Sequence, residues 1–227
     1  MGRADDCYDL VVVGGGMGGL AAAVLAQRQG LTTALLEAHT KLGGCAGYFE
    51  RGPYTFDAGA TALMGLNPGE PVGDLLASIG LDFEAQRTAG YRVYMPDGTL
   101  DITPDSRAFE DQVCAHFPGR EANTRRFWRL QEWVGQRLFR AASNLPKLPV
   151  RSTSDVLQTL GTLGLAGSAA TATSLLTVGN VLNLLGLSAD RRHRAFVAML
   201  LQDTAQAGPE TVPFANAAVC LQAYRMG

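Results

Sequence analysis

The chain has 227 residues, 47% of them hydrophobic, 18% charged and 7% aromatic, a composition that excludes intrinsic disorder, collagen-like repeats and a small disulfide scaffold. Its 19 Lys and Arg against 21 Asp and Glu leave a formal charge of -2, so no global field draws it to nucleic acid. Cys7, Cys45, Cys114 and Cys220 form no CxxC pair, so reduced, cytoplasmic thiols are expected rather than a zinc site or redox dithiol.

The acidic start, with Asp5, Asp6 and Asp9, does not read as a signal peptide, and Asp6 breaks the myristoylation pattern. Residues 7–13 (CYDLVVV) predict a strand buried on both faces, as parallel sheets require. Residues 17–29, rich in Ala and Leu, predict a helix stopped by Gly30. Residues 32–37 predict a second strand, completing one βαβ unit.

Within that unit Gly14, Gly16 and Gly19 satisfy GxGxxG. Gly14 permits the strand-to-helix turn, Gly16 removes the Cβ that would block a pyrophosphate, and Gly19 lets the helix lie close on the sheet. The pyrophosphate is expected at the helix N-terminus, at Met17 and Gly18, where free N–H groups and the macrodipole favour negative charge. Glu37 stands about twenty positions further on, where a carboxylate accepts the hydroxyl protons of an adenosine ribose. This pattern favours FAD or NAD over NADP.

After the acid comes EAHTKLGGCAG, residues 37–47, with a second glycine pair at Gly43 and Gly44. VVVGGGMGGL, the acid and this pair together resemble the FAD-binding signature of the flavoprotein superfamily that holds amine oxidases and phytoene desaturases. Within it the chain is most similar to the branch of carotenoid desaturases, carotenoid cis-trans isomerases and retinol saturases. The resemblance implies FAD as cofactor, with Glu37 and Ala38 at the adenosine, and Gly43, Gly44 and Cys45 passing close to the cofactor. Gly59, Ala60 and Thr61 lie in the stretch that returns towards the flavin. Many relatives carry Arg where this chain has Cys45, a departure that suits the carotenoid branch, and Cys45 is expected as a small packing residue rather than a redox thiol.

Further on, residues 91–95 and 99–102 predict a β-hairpin around Pro96-Asp97-Gly98. Residues 106–117 predict a helix stopped by Pro118-Gly119, and 121–142 a longer one with an apolar face of Phe127, Leu130, Val134, Leu138 and Ala141. Beside that face runs Arg126, Arg129, Trp133, Arg137 and Arg140, either a solvated face or a stripe for an anionic membrane surface. The best linker is 143–154, with Pro146 and Pro149. Residues 156–189 carry no charge but too many polar groups for a membrane span, and predict two helices broken near 164–168 and near Gly186. Ser188 is expected to cap the next helix, with Asp190 to Arg194 as a solvated end. His39, His116 and His193 are isolated, so no metal site is expected, and no residue presents itself as catalytic acid, base or nucleophile.

The expected fold is therefore α/β, a Rossmann-type FAD-binding βαβ unit within residues 1–85, followed by a mostly helical substrate or membrane-associated region with a β-hairpin over 86–227. The expected function is an FAD-dependent oxidoreductase acting on a carotenoid or related polyene, foremost a desaturase. Alternatives are an isomerase or saturase of the same fold, a non-catalytic FAD-binding remnant, or one subunit of a split enzyme. By the resemblance, full-length relatives are about twice as long, so the C-terminal completion of the fold is expected to be absent or supplied by a second chain. The chain is expected to be cytoplasmic, with peripheral membrane contact.

Overall fold

The computed structural model describes residues 7–59, 63, 65–86, 88–143 and 151–226. The chain divides into two compact units, Met1–Asn67 with Val72–Asp82, and Pro68–Pro71 with Phe83–Gly227.

In the first unit β1 (Leu10–Val13) and β2 (Thr33–Leu36) pair in parallel, Leu10 opposite Thr33 and Val13 opposite Leu36. Between them runs α1 (Met17–Arg28). Gly30, at φ +84, closes α1 as a left-handed cap, with Gly30 N donating to Gln27 O and Leu31 N to Ala26 O. The strand expected to be buried on both faces is not. Val13 is 83% exposed and Leu36 55%, because among the described residues the sheet has two strands, with α1 packed on it.

Three elements of this unit are not foreshadowed by the sequence. β3 (Tyr48–Arg51) and β4 (Tyr54–Asp57) form an antiparallel hairpin, with Phe49 opposite Phe56 and their rings stacked 5.3 Å apart. Further on, α2 (Pro71–Ser78) ends like α1, with Gly80 N donating to Ala77 O and Leu81 N to Leu76 O.

The second unit begins with the expected hairpin, β5 (Tyr91–Met95) and β6 (Gly98–Ile102). Helices α3 (Ser106–His116), α4 (Glu121–Ser143), α5 (Thr153–Ala172), α6 (Val178–Leu184), α7 (Arg191–Ala205) and α8 (Phe214–Met226) follow. The core gathers Leu100 and Ile102 of β6, Phe109 of α3, Phe127 and Val134 of α4, Leu201 of α7 and Phe214 of α8. α4 buries the face its periodicity predicts. It lies so close to α8 that a Cβ on Gly135 would stand 2.5 Å from Ala218 O, beside the bond from Gln131 Nε2 to the same oxygen at 3.0 Å.

The basic stripe of α4 is partly committed to the fold. Arg129 donates to both oxygens of buried Glu110 at 3.1 and 3.0 Å, Arg126 to Asn123 at 3.1 Å, and the Arg137 guanidinium lies 4.1 Å over the Trp133 ring. α5 kinks at Gly164 (φ 64) and a break falls at Gly186 (φ 67), both where expected, whereas the break between α5 and α6, at the 3-10 turn Thr173–Leu175 and the Thr177 cap, was not expected. Pro146 and Pro149 of the expected linker lie outside the described residues, whereas Ser152 caps α5 through a bond from Asp155 N. No helix among the described residues is long and apolar enough to cross a membrane.

Two expectations about the start of α7 are corrected. Its cap is Asp190 rather than Ser188, with Asp190 Oδ1 accepting from Arg192 N and His193 N at 3.0 Å each; a carboxylate there also complements the helix dipole. The cluster is a solvated end only in part, for Arg191 and Arg192 are exposed while His193 is not. His193 shares a helical face with Phe196, Val197, Leu200 and Leu201 and is fully buried against Phe117, Phe127 and Trp128, while Arg192 pairs with Asp97 and Arg194 with Glu210.

Candidate dinucleotide site

Each glycine of the first loop has a separable cause. Gly14 ends β1 at φ +103, a conformation that side chains rarely adopt. A Cβ on Gly19 would overlap Gly14 O, so only glycine lets α1 start this close to the turn. Gly16 and Gly18 are different. Neither has a positive φ, the nearest atom to a Cβ on Gly16 is Gly44 Cα at 3.8 Å, and nothing lies within 4 Å of one on Gly18. Packing does not ask for glycine at either position: a Cβ on Gly16 would make only ordinary contact with Gly44, and the space in front of Gly18 is open.

That space faces the start of α1, whose N-cap Gly16 offers no side-chain acceptor and whose first turn has no acid. The leading N–H groups of a helix lack partners within it, so this end favours an anion. Met17 is half-exposed at the same place.

Glu37, one residue past β2, turns back onto the loop. Its Oε2 accepts from Gly15 N at 2.5 Å and its Oε1 from His39 N at 2.8 Å. The amides of His39 first and Gly15 second hold this carboxyl below the usual carboxylate range. A carboxylate offers about four acceptor sites, and with the Ala38 amide also acting on this one the ionised group can still receive a hydroxyl proton.

The second glycine pair interlocks with the first loop. Gly43 (φ +116) and Gly44 (φ +59) open a single 3-10 turn, Gly44–Ala46. Gly43 N donates to Gly15 O at 2.8 Å, Gly43 bridges Gly16 in parallel fashion, and a Cβ on Gly44 would stand 3.1 Å from Gly16 Cα. Behind this turn the chain returns with Ala58 N donating to Gly47 O at 2.8 Å and Gly59 backed against the Cys45 carbonyl, where a Cβ would overlap.

The structure thus brings Gly14 to Gly19, Glu37, Gly43, Gly44, Cys45 and Gly59 into one cradle. Ala38 is exposed beside Glu37, Cys45 is a free, exposed thiol, and Ala60 and Thr61 lie outside the described residues. Next to the cradle a pocket of ≈ 320 Å³ is lined by Glu37, His39, Lys41, Leu42, Gly44, Gly47, Tyr48 and Ala58. Lys41 and Tyr48 are additions to the sequence reading: Lys41 Nζ lies 4.0 Å from the Tyr48 ring centroid and 3.0 Å from Glu50 Oε2. Their signal was position, between the acid and the start of the aromatic hairpin. Uncapped helix, unconstrained glycines and an ionised carboxylate with remaining acceptor capacity fit the pyrophosphate and ribose of FAD, the cofactor the resemblance implies.

Comparison with known proteins agrees with this geometry. Residues 12–79 match the NAD(P)-binding Rossmann-like domain. The phytoene desaturase (lycopene-forming) of Pseudescherichia vulneris is 33% identical over 144 residues, covering 62% of this chain and 29% of that protein. The chloroplastic prolycopene isomerase of Daucus carota is 39% identical over 67 residues, 30% of this chain and 11% of that one. The all-trans-retinol 13,14-reductase of Danio rerio is 30% identical over 149 residues, 59% of this chain and 23% of that one. Among solved structures, a putrescine oxidase redesigned in its cofactor binding matches in fold with TM-score 0.54 and 20% identity, over 93% of this chain and 40% of that one. The matched stretches thus cover less than a third of each of these curated relatives, and this chain carries an NAD(P)-binding Rossmann-like domain at residues 12–79 and resembles phytoene desaturases, prolycopene isomerases and retinol 13,14-reductases.

Proposed function

We propose that this chain holds FAD for an oxidoreductase acting on a carotenoid or related polyene, and that the reaction is a desaturation. One observation carries the reading: Gly16 and Gly18 are glycines that no protein packing requires, at an uncapped helix start faced by the interlocked second glycine pair. α1 receives the pyrophosphate, Glu37 orients the ribose, and the Gly43–Gly44 turn keeps the loop in register. Bound FAD supplies the two-electron redox chemistry that no side chain here performs.

The polyene substrate is supported by the relatives' names, which carry phytoene, prolycopene and retinol. Those names also favour a second reading, an isomerase or a saturase. The exposed leucines of α5, Leu157 at 71% and Leu165 at 94%, support peripheral contact with a bilayer, where such substrates dissolve. Exposed Val13 and Leu36 on the open parallel sheet support a partner chain that covers it.

The test is the visible absorption spectrum of the purified chain before and after denaturation, with the released cofactor identified by mass. A flavin spectrum and the mass of FAD are expected, and Gly16→Val is expected to remove both. A colourless chain that takes up no added FAD overturns the proposal. With the cofactor in place, product mass separates the reactions: lighter by a hydrogen pair for a desaturase, unchanged for an isomerase, heavier for a saturase.

A further inference from the structure

A groove of ≈ 530 Å³ opens in the second unit between the β5–β6 turn and α7, within the roughly 300–1,000 Å³ range of small-molecule pockets. Its walls are apolar: Met95 and Pro96 on the hairpin side, Phe117 after α3, and Phe196 and Met199 on α7. Phe117 and Phe196 form a buried floor, whereas Met199 is 41% exposed at the rim. Unbranched methionines on both sides let the walls adapt to a flexible chain.

Charge at the groove is not balanced. Asp97, Arg191 and Arg192 all line it. Arg192 pairs with Asp97, which also meets His116 Nε2 at 3.3 Å, so the one carboxylate already has a partner on each oxygen. Arg191 is exposed and has no acidic partner among the described residues. An apolar slot with one uncommitted guanidinium complements a molecule with a long tail and one anionic head. A neutral polyene makes no use of that guanidinium, so this is a different ligand class from the proposed substrate.

We propose that this groove binds a free single-chain amphiphile with a carboxylate head, its tail between Met95 and Met199 and its head on Arg191. The groove lies wholly in the second unit, so the proposal stands or falls separately from FAD binding.

The experiment uses the full chain with methyl-labelled methionine, titrated below micellar concentration with dodecanoate, dodecanol or dodecyltrimethylammonium and followed by NMR. Saturable shifts at the Met95 and Met199 methyls are expected, with dodecanoate binding about tenfold or more tighter than dodecanol. Arg191→Glu is expected to erase that margin while leaving dodecanol binding unchanged. Ala195→Trp, on the exposed rim, is expected to fill the groove and abolish the shifts with all three, the other methionine resonances staying in place. Absence of saturable shifts at these two methyls, equal affinity for the alcohol or the ammonium, or undiminished dodecanoate binding by Arg191→Glu overturns the proposal. So do shifts that arise only with phosphatidylglycerol vesicles, which would make the groove a membrane contact.

Discussion

Gly18 and Gly19 are neighbours in one helical turn, yet they answer to opposite constraints. A Cβ at position 18 touches nothing, so Gly18→Ala is expected to stabilise the apo chain by up to about 1 kcal/mol through helix propensity, while weakening FAD binding; thermal melts with and without cofactor measure both. A Cβ at position 19 overlaps Gly14 O, and Gly19→Ala is expected to cost about 1–3 kcal/mol, read in the same melts. At His193, burial pushes the imidazole down to about 4 from its usual 6.5, partly offset by Asp190. The unfolded chain therefore binds the proton that the folded chain refuses. Stability is full above about pH 6.5 and falls as pH drops towards 4, by roughly 3 kcal/mol over the whole interval. Denaturant titrations at pH 7 and pH 5 are expected to show the loss, and His193→Phe, which keeps a ring among Phe117, Phe127 and Trp128, to flatten it.

Among the elements, contact between α4 and α8 turns on a single missing methyl. Gly135→Ala is expected to push α8 from α4 and destabilise the second unit by about 1–3 kcal/mol, measured by urea unfolding. Elements with a strong local signal were legible beforehand: α1 from its Gly30 stop, the β5–β6 hairpin from Pro96-Asp97-Gly98, α4 from its periodicity. The β3–β4 hairpin was not, although Gly52 at φ +59 and Pro53 mark its turn, because its aromatic strands are read most readily as part of a glycine-rich cofactor loop. α2 is short, and its stop at Gly80 repeats the ending of α1 without a long apolar face to announce it. The burial of His193 was hidden by its arginine neighbours, whose side chains point to Asp97 and Glu210 while the imidazole turns inward. In the cradle, sequence spacing placed both glycine pairs and Glu37, whereas the bond from Gly15 to Glu37 and the bridge from Gly16 to Gly43 are long-range contacts that spacing does not encode.

On the scale of the molecule, the two units hold very different cores. Ala26 is the one buried apolar residue among the described residues of the first unit, whereas the second packs aromatic and aliphatic side chains from one hairpin and several helices. Calorimetry is expected to resolve two transitions, with the first unit melting lower. Added FAD is expected to raise only that lower transition, by about 2.7 kcal/mol of stability at a hundredfold excess over Kd. A single transition, or one in which FAD moves both equally, contradicts this.

The cradle draws on three separate stretches, the turn at Gly14 to Gly19, the turn at Gly43 to Gly47, and the return at Ala58 and Gly59. During synthesis the first emerges from the ribosome with no partner, and its backbone acceptor Gly15 O stays unmet until Gly43 arrives. Closing such a span costs chain entropy that a sparse core does little to offset. Supply of the cofactor during translation thus becomes a determinant of yield, and cells starved of its vitamin precursor should accumulate less of the folded chain at equal messenger level.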